Sequence, residues 1–447
     1  MAPTIKPEQS TPSAIPFAGK PSSTYPQSIA WMILIALAIR LSVIPFVYDE
    51  WLSPYNLVHN EQANVARSLL DGQGFGSPLP SHQLSAMMTP VYPLILAGIF
   101  RVFGVHTFAS IIAALSLNCL LSSLACIPAF LMARRSFGSR VAVWAGWGWA
   151  LSPYGIYFSA EWAWSTHLLL LCLCWLLYLA QDLEKSSNLA LWSGFGLLAG
   201  FAGLTEPSIL VVIPFLLALA AWRRSQFNGR WLIPSLLASL CLTLTISPWI
   251  VRNALVFHRL IPMRDSFGLE LWLGNNGYTR HWINADHHPN HDPRELTAYN
   301  AGELTYLDFK ARQAENYIAI HKLWYVSMCL RRALYLWTGY WSFDRSYLAE
   351  EPLDLANIPV ATCLTLLSWL GICFAWRANR IDALRYGGVL FLFPLLYCFT
   401  HPQAYYMRPL DPILVILGCY SILKLRDAIR RKQFQQGSNE MPLRLAN

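Results

Sequence analysis

Long apolar runs alternate with polar loops along most of the 447-residue chain. Runs such as 28–46, 141–158 and 358–376 come close to the roughly 20 residues that a helix needs to cross ~30 Å of hydrocarbon. Hydrophobic residues make up 55% of the chain and charged residues only 13%, against about 25% in soluble domains. The pattern predicts an all-α polytopic membrane protein, a bundle of about ten transmembrane helices.

Lys and Arg cluster after alternate runs, and under the positive-inside rule those ends face the cytoplasm. The opposite turns, such as 159–162 and 204–207, contain neither residue. The clusters comprise Arg134, Arg135 and Arg140; Lys185; Arg223, Arg224 and Arg230; Arg377, Arg380 and Arg385; and Arg426, Arg430, Arg431 and Lys432. We therefore expect a multi-pass plasma-membrane protein with both termini in the cytoplasm. Its net charge of +8 indicates topology and anionic lipid contacts rather than nucleic-acid binding.

The apolar runs also divide the chain. Residues 1–27 are rich in Pro, Ser and Thr and are typical of a disordered cytoplasmic tail. Residues 28–425 form the membrane domain, and 426–447 form a basic, polar cytoplasmic tail. Two long polar interruptions, 48–107 and 252–355, are expected to be extracytoplasmic loop regions.

Both loop regions contain helical patterns. Residues 60–70 predict a short helix, which the glycines of 71–76 end. Residues 94–104 predict a second, amphipathic helix that lies in the membrane interface, because it is too short to span and carries Arg101. The apolar spacing of 298–321 predicts a further helix in the second region.

Four acidic residues at the outer face are candidates for a general base. Asp49, Glu50 and Glu61 belong to the first outer region, and Glu161 lies in the turn 159–164. An ionisable group beside apolar spans is a functional hypothesis by default. Each also has a simpler interpretation: Glu61 as an acid that the helix dipole stabilises, and the others as solvated surface carboxylates.

Two arginines adjoin spans on the same face. Arg252 and Arg408 could bind a lipid phosphate, because the guanidinium fork suits its geometry. The alternative is an interfacial Arg whose head reaches water while its stem stays in lipid. His401, Arg67 and Tyr405 are further substrate-binding candidates.

The run 281–292 contains four His and two Asp, residue types that suit Zn or Mn. Its spacing matches no standard zinc pattern, so a polar loop is the favoured interpretation and no metal ligand is predicted. We expect no required cofactor, although a divalent metal is possible.

Three stretches resemble bacterial GT-C glycosyltransferases, a group that includes the protein O-mannosyltransferase and aminoarabinose transferase superfamily. The first comprises Glu61-x4-Ala66-Arg67-Ser68-Leu69, Gly72-x-Gly74-Phe75 and Thr89-Pro90-x-Tyr92-Pro93-Leu94. The second comprises Pro248-Trp249-x2-Arg252-Asn253, the segment 267–276 and Gly302-Glu303-x2-Tyr306. The third comprises His401-Pro402-Gln403 and Arg408-Pro409-Leu410-Asp411-Pro412.

This resemblance implies a GT-C-like bundle that transfers a sugar from a polyprenyl-phosphate donor, at the outer face of a bacterial inner membrane. The acceptor would be a lipid, a glycan or a protein, and an outer-loop carboxylate would be the general base. Many relatives carry an Asp-Glu pair where this chain has Asn60-Glu61, while Asp49-Glu50 lies upstream. Glu61 is therefore the first candidate, Asp49 the second and Glu50 the third.

Two other classes stay open at this point. One is a transporter or flippase of lipid-linked precursors, which should show repeated halves and helices interrupted near mid-membrane. The other is a non-catalytic scaffold. If Asp49, Glu61 and Glu161 met at one outward cavity, that would favour the enzyme.

Overall fold

A computed structural model describes residues 25–51, 60–227, 229–279, 285–343, 345, 348 and 354–444. The side chains of Asp49 and Glu50, at the end of the first helix, lie outside the described part. The two predictions made for them therefore have no test here.

The regular structure of the described residues is α-helical, with short 3-10 turns. The helices are α1 Tyr25–Trp51, α2 Glu61–Leu70, α3 Val91–Phe103, α4 Phe108–Leu124, α5 Cys126–Phe137, α6 Ser139–Ala150, α7 Pro153–Glu161, α8 Thr166–Leu183, α9 Leu189–Thr205, α10 Ile213–Gln226, α11 Leu232–Phe257, α12 Phe267–Gly274, α13 Pro293–Asn300, α14 Glu303–Ile320, α15 Lys322–Thr338, α16 Asp354–Ala378, α17 Arg380–Phe399 and α18 Asp411–Arg444. The 3-10 turns Pro207–Val211 and Ala404–Leu410 precede α10 and α18.

The three runs named above, 28–46, 141–158 and 358–376, fall on α1, on the pair α6 and α7, and on α16. Seven stretches of the described chain are long and apolar enough to cross a membrane, among them the joined pair α4–α5, residues Phe108–Phe137. The run 141–158 is broken into α6 and α7, because Pro153 opens a new helix and Ser152 Oγ caps it at the Gly155 N–H. The predicted all-α polytopic fold is confirmed.

One arginine lies inside the apolar bundle, at the point where α6 ends. Arg40 is fully buried, and its guanidinium donates to the carbonyl oxygens of Ala150 at 2.8 Å and Trp149 at 3.1 Å. It also donates to Ser122 Oγ at 3.0 Å. The Trp149 carbonyl also accepts the Ser152 N–H at 3.2 Å. Arg40 therefore adds side-chain donors at the end of α6, where carbonyl groups run out of intrahelical partners.

Close contact between α9 and α11 depends on two glycines. A Cβ at Gly196 would lie 2.1 Å from the Ala238 carbonyl oxygen, and one at Gly200 would lie 2.5 Å from Thr245 Cβ. Small residues spaced by four let membrane helices approach this closely and gain van der Waals contact.

The two outer regions pack on each other and form one layer. Buried Glu303 accepts the Ala86 N–H at 2.8 Å and the Tyr299 hydroxyl at 2.6 Å. The helix predicted over 298–321 is instead two helices, α13 and α14. The break falls at Ala301–Gly302, where Gly302 is the residue before α14.

The clustered Lys and Arg lie at one end of the bundle, which we call the basic end. There Arg135 pairs with Asp182 at 2.9 Å, and Arg140 pairs with Asp427 at 3.0 Å. These contacts join the ends of α5, α6 and α8 to one another and to the middle of α18, as the alternation of charge predicts.

Candidate active site

A cavity of about 240 Å³ lies at the opposite end of the bundle from the basic end. Residues from both outer regions and from three turns between spans meet there. Its polar and aromatic lining comprises Glu61, Trp162, Trp164, Ser165, Thr166, Glu206, Arg264, Glu270, His288, Asn290, His291, Tyr397, His401, Gln403, Tyr405 and Tyr406.

The N-terminus of α2 directs Glu61 into this cavity. Asn60 caps the helix, because its Oδ1 accepts the Ala63 N–H at 3.0 Å. The Asn60 Nδ2 group also donates to the Ala163 carbonyl at 3.3 Å, which fixes the start of α2 against the turn before α8. The helix predicted over 60–70 is thus confirmed, and it positions the first acid candidate.

Glu61 is mostly buried and contacts the second outer region. His288 Nε2 lies 3.6 Å from Glu61 Oε1, and Asn290 Nδ2 donates to the same oxygen at 3.4 Å. Burial and the negative charge of Glu270 raise the pKa of Glu61 to about 8, although Arg264 opposes the shift. A carboxyl with such a pKa exchanges its proton near neutral pH.

Glu270 and Glu206 share one cation. Arg264 Nη1 lies 3.5 Å from Glu206 Oε1, and Nη2 lies 4.0 Å from Glu270 Oε1. His401 Nε2 and Glu270 Oε2 are 2.5 Å apart. Burial alone would raise the pKa of Glu270, but the hydrogen bond and charge of His401, together with Arg264, lower it to about 2. Burial raises the pKa of Glu206, against the effect of Arg264.

The surroundings of these two carboxyl groups therefore shift their pKa values in opposite directions. The pKa of Glu61 lies near 8 and that of Glu270 near 2, so their environments separate their chemical roles. The Arg264 guanidinium lies at distances of 3.5 to 4.0 Å from its carboxylates, longer than a tight ion pair. This arrangement can accept a proton and stabilise an anion in the same small space.

Three of the residues singled out in the sequence line the cavity: Glu61, His401 and Tyr405. Glu161 and Arg67 are not part of the lining. Glu161 accepts the Tyr157 hydroxyl at 3.0 Å, and Arg67 is exposed near the end of α2. The expected meeting of Glu61 and Glu161 at one cavity is not seen.

Arg252 is engaged away from the cavity. Its guanidinium donates to the carbonyls of Ser85 at 2.8 Å and Phe75 at 3.0 Å, and lies 5.0 Å from the Trp249 ring centroid. It holds the loop between α2 and α3 against α11, and its assignment to the donor phosphate stays a prediction.

Arg408 also points away from the cavity, although the next residue, Pro409, lines it. The Arg408 guanidinium carbon lies 4.0 Å from the Tyr154 ring centroid, and Nη1 lies 3.4 Å from Asp411 Oδ2. These contacts hold the turn before α18 against α7. Arg408 therefore stabilises the position of the turn that lines the cavity.

Sequence reasoning missed Arg264, His288 and Glu270 as site residues. Glu270 carried a usable signal, because it is the one acid in the otherwise apolar helix Phe267–Gly274. Arg264 carried none, since it lies in a polar stretch between two apolar segments. Among the residues described, no group of three or more His, Cys, Asp or Glu has metal-binding geometry.

Part of the chain matches a known family. Residues 87–251, less than half of the chain, match the family of dolichyl-phosphate-mannose-protein mannosyltransferases. No curated protein matches the sequence.

The fold is shared with solved membrane proteins. The oligosaccharyltransferase of Archaeoglobus fulgidus in the apo form gives a TM-score of 0.53 at 13% identity, covering 92% of this chain and 52% of that one. The archaeal oligosaccharyltransferase AglB from the same organism, in complex with an inhibitory peptide and a dolichol-phosphate, gives 0.52 at 13% identity, covering 93% and 52%. ArnT from Cupriavidus metallidurans in the apo state gives 0.48 at 14%, covering 89% and 60%.

The chain spans about half the length of the oligosaccharyltransferases that it matches. The architecture that the two archaeal structures share with nearly the whole of this chain shows that it has their fold.

Proposed function

We propose that this protein is a membrane glycosyltransferase that moves a sugar from a polyprenyl-phosphate donor to an acceptor, with the chemistry in the cavity around Glu61. The observation that carries the proposal is that Glu61, whose pKa is raised, lines the same cavity as Arg264 and His401. The family match over 87–251 and the dolichol-phosphate named in the AglB complex support the donor class.

Glu61 is the proposed general base. An acceptor hydroxyl or amine must lose a proton as it attacks the anomeric carbon, and a carboxylate within hydrogen-bond reach can take that proton. A pKa of about 8 makes Glu61 a stronger base than an ordinary carboxylate, while a useful fraction stays ionised near neutral pH. Asp49 is the second candidate.

Arg264 is the proposed contact for the donor phosphate. When the bond from the anomeric carbon to the phosphate oxygen breaks, the leaving phosphate gains negative charge. A guanidinium already fixed in the cavity stabilises that charge without reorganisation. Arg264 is mostly buried, with 25% of its side chain exposed, so its attraction for an anion is weakly screened.

Glu270 and His401 are proposed to position this machinery. The short contact between Glu270 and His401 fixes the imidazole at the cavity wall. Because Glu270 stays ionised, it also attracts Arg264 and holds the guanidinium toward the cavity. His288 and Asn290 hold the Glu61 carboxylate from the other side.

The cavity is proposed to open at the outer face of the inner membrane, with both termini in the cytoplasm. Support comes from the separation of the cavity from the basic end, since clustered Lys and Arg favour the cytoplasmic side. The acceptor is a lipid, a glycan or a protein.

The direct test supplies purified protein in detergent with a synthetic polyprenyl-phosphate sugar and, separately, with UDP- and GDP-sugars. We expect turnover of the lipid-linked donor only. Turnover of nucleotide sugars without turnover of the lipid-linked donor would contradict the proposal. Mass spectrometry of glycans and glycolipids in a deletion strain then identifies the acceptor from the product that disappears.

A further inference from the structure

A second cavity, of about 290 Å³, lies at the basic end, between the ends of α5, α6 and α16 and the middle of α18. We call it the basic cleft. Its lining includes Ser136, Phe137, Arg140, Asn379, Tyr420 and Lys424. Phe137 and Tyr420 stack with their ring centroids 4.2 Å apart and form a rigid aromatic wall. The cleft is thus a built space between helix ends rather than a gap in a loop.

Positive charge exceeds negative charge in the basic cleft. Arg140 contacts both oxygens of Asp427 at 3.0 Å through Nη1, and 47% of its side chain is exposed. The Lys424 Nζ lies 5.5 Å from the Tyr420 ring centroid, and no carboxylate of the described residues pairs with it. Two cations and one acid line the cleft, and the acid pairs with Arg140 alone, so the cleft attracts an anion.

The surroundings of the basic cleft are apolar and exposed. Trp144 is 49% exposed, Trp376 50%, Ile422 46% and Leu425 39%. They lie on the helices whose ends form the cleft. Tryptophan at helix ends is typical of the membrane–water interface. A ligand at this depth meets cations at its head and apolar side chains beside its tail.

We propose that the basic cleft binds the phosphate of an anionic phospholipid from the surrounding membrane. Arg140 and Lys424 would contact the phosphate, and the acyl chains would lie along α6, α16 and α18. Basic pockets between membrane helices bind lipid head groups through this chemistry. The inference is independent of the proposed sugar transfer, because no residue of the cleft lines the cavity around Glu61.

The test is native mass spectrometry of the full-length protein in detergent, titrated with phosphatidylglycerol and, separately, with phosphatidylcholine. We expect the wild type to retain phosphatidylglycerol in preference. The double variant Arg140→Gln/Lys424→Gln should lose roughly 10-fold or more in that affinity, because it removes two cations at head-group depth. Asp427→Asn should tighten binding, since it removes the competing carboxylate. Arg431→Gln, on the exposed part of α18, is the matched control and should bind as the wild type does.

Three results would overturn the proposal. One is unchanged phosphatidylglycerol retention in the double variant. Another is weaker binding in Asp427→Asn, whose altered residue is exposed enough to leave the fold intact. The third is displacement of the lipid by millimolar inorganic phosphate, which would indicate a site for free anions instead. A thermal-shift profile equal to that of the wild type confirms folding of each variant.

Discussion

The two ends of the bundle both contain buried charge, but they arrange it differently. At the basic end, Arg385 is almost fully buried and contacts the carboxylates of Glu184 and Asp382, with no open space between the three. At the cavity end, Glu206 and Glu270 share Arg264 at 3.5 to 4.0 Å around an open volume.

The difference distinguishes buried charges with a structural role from buried charges with a chemical role. A buried cation in tight contact with carboxylates has little attraction left for a ligand, so such a cluster holds helices together. Where a cavity separates the carboxylates from the cation, their pKa values diverge and the groups stay available for a substrate. Buried charge is therefore informative about function when it is loosely paired and faces open space.

The largest expected effect is the fall in the transfer rate when the proposed base, Glu61, is replaced. Glu61→Gln should leave the protein folded and reduce transfer by roughly 10²-fold or more, because proton transfer belongs to the transition state. Turnover should fall more than donor affinity. The assay is transfer from a synthetic polyprenyl-phosphate sugar in detergent, with folding checked by thermal shift.

Two variants are the controls for this prediction. Glu161→Gln removes an acid outside the cavity lining and should retain nearly the wild-type rate. If Glu61→Gln is active and Asp49→Asn is not, the general base is Asp49, and the assignment made from the cavity is incorrect.

A smaller loss of activity is expected when the cation Arg264 is removed. Arg264→Gln should reduce kcat/KM roughly 10- to 100-fold, because the leaving phosphate loses a fixed positive charge while His401 and His288 remain. Arg264→Lys should recover only part of the rate, since lysine lacks the planar fork. Arg252→Gln is the comparison, because Arg252 binds loop carbonyls and its loss should lower stability more than the rate per folded molecule.

At the basic end, the expected effect is on stability. Arg385→Gln leaves Glu184 and Asp382 buried without their main cation, and should destabilise the fold by about 3 kcal/mol. A lower thermal-shift midpoint, with a nearly unchanged rate per folded molecule, is the expected pair of results. A large fall in the rate of the folded fraction would show that the two ends are coupled.

The smallest expected effect is a shift in the pH profile. Because Glu61 must be ionised to accept a proton, kcat/KM should rise with pH through about 8. The negative charge of Glu270 favours the neutral form of Glu61 and raises its pKa, so Glu270→Gln should move the rise to lower pH. Arg264→Gln should move it to higher pH, because the cation lowers that pKa. Equal profiles for all three proteins would exclude this coupling.

The fold could be predicted from the sequence because each span is a local property. Run length and charge alternation suffice to locate helices in a membrane, where every backbone group must be satisfied internally. The close contact at Gly196 was not foreseen, because it depends on Ala238, which is distant in sequence. The broken helix at Ser152–Pro153 was not foreseen either, although its cap residue and proline are a local signal for a new helix.

The site could be predicted only in part. Glu61 was found because it opens a motif-bearing helix in the first outer region. Arg264 and His288 were missed because only the packing of the second outer region on the first brings them to Glu61. Arg252 was proposed as a contact for the lipid phosphate because of its expected depth in the membrane. Depth alone does not distinguish a ligand contact from a contact with loop carbonyls.

The most direct test of the contrast between the two ends is single-turnover transfer from a polyprenyl-phosphate sugar, measured side by side for Glu61→Gln and Arg385→Gln and normalised to folded protein. We predict a loss of roughly 10²-fold or more in the first variant and a change of less than about 3-fold in the second. Similar losses in both variants, or a wild-type rate in Glu61→Gln, would contradict the assignment of the chemistry to the cavity.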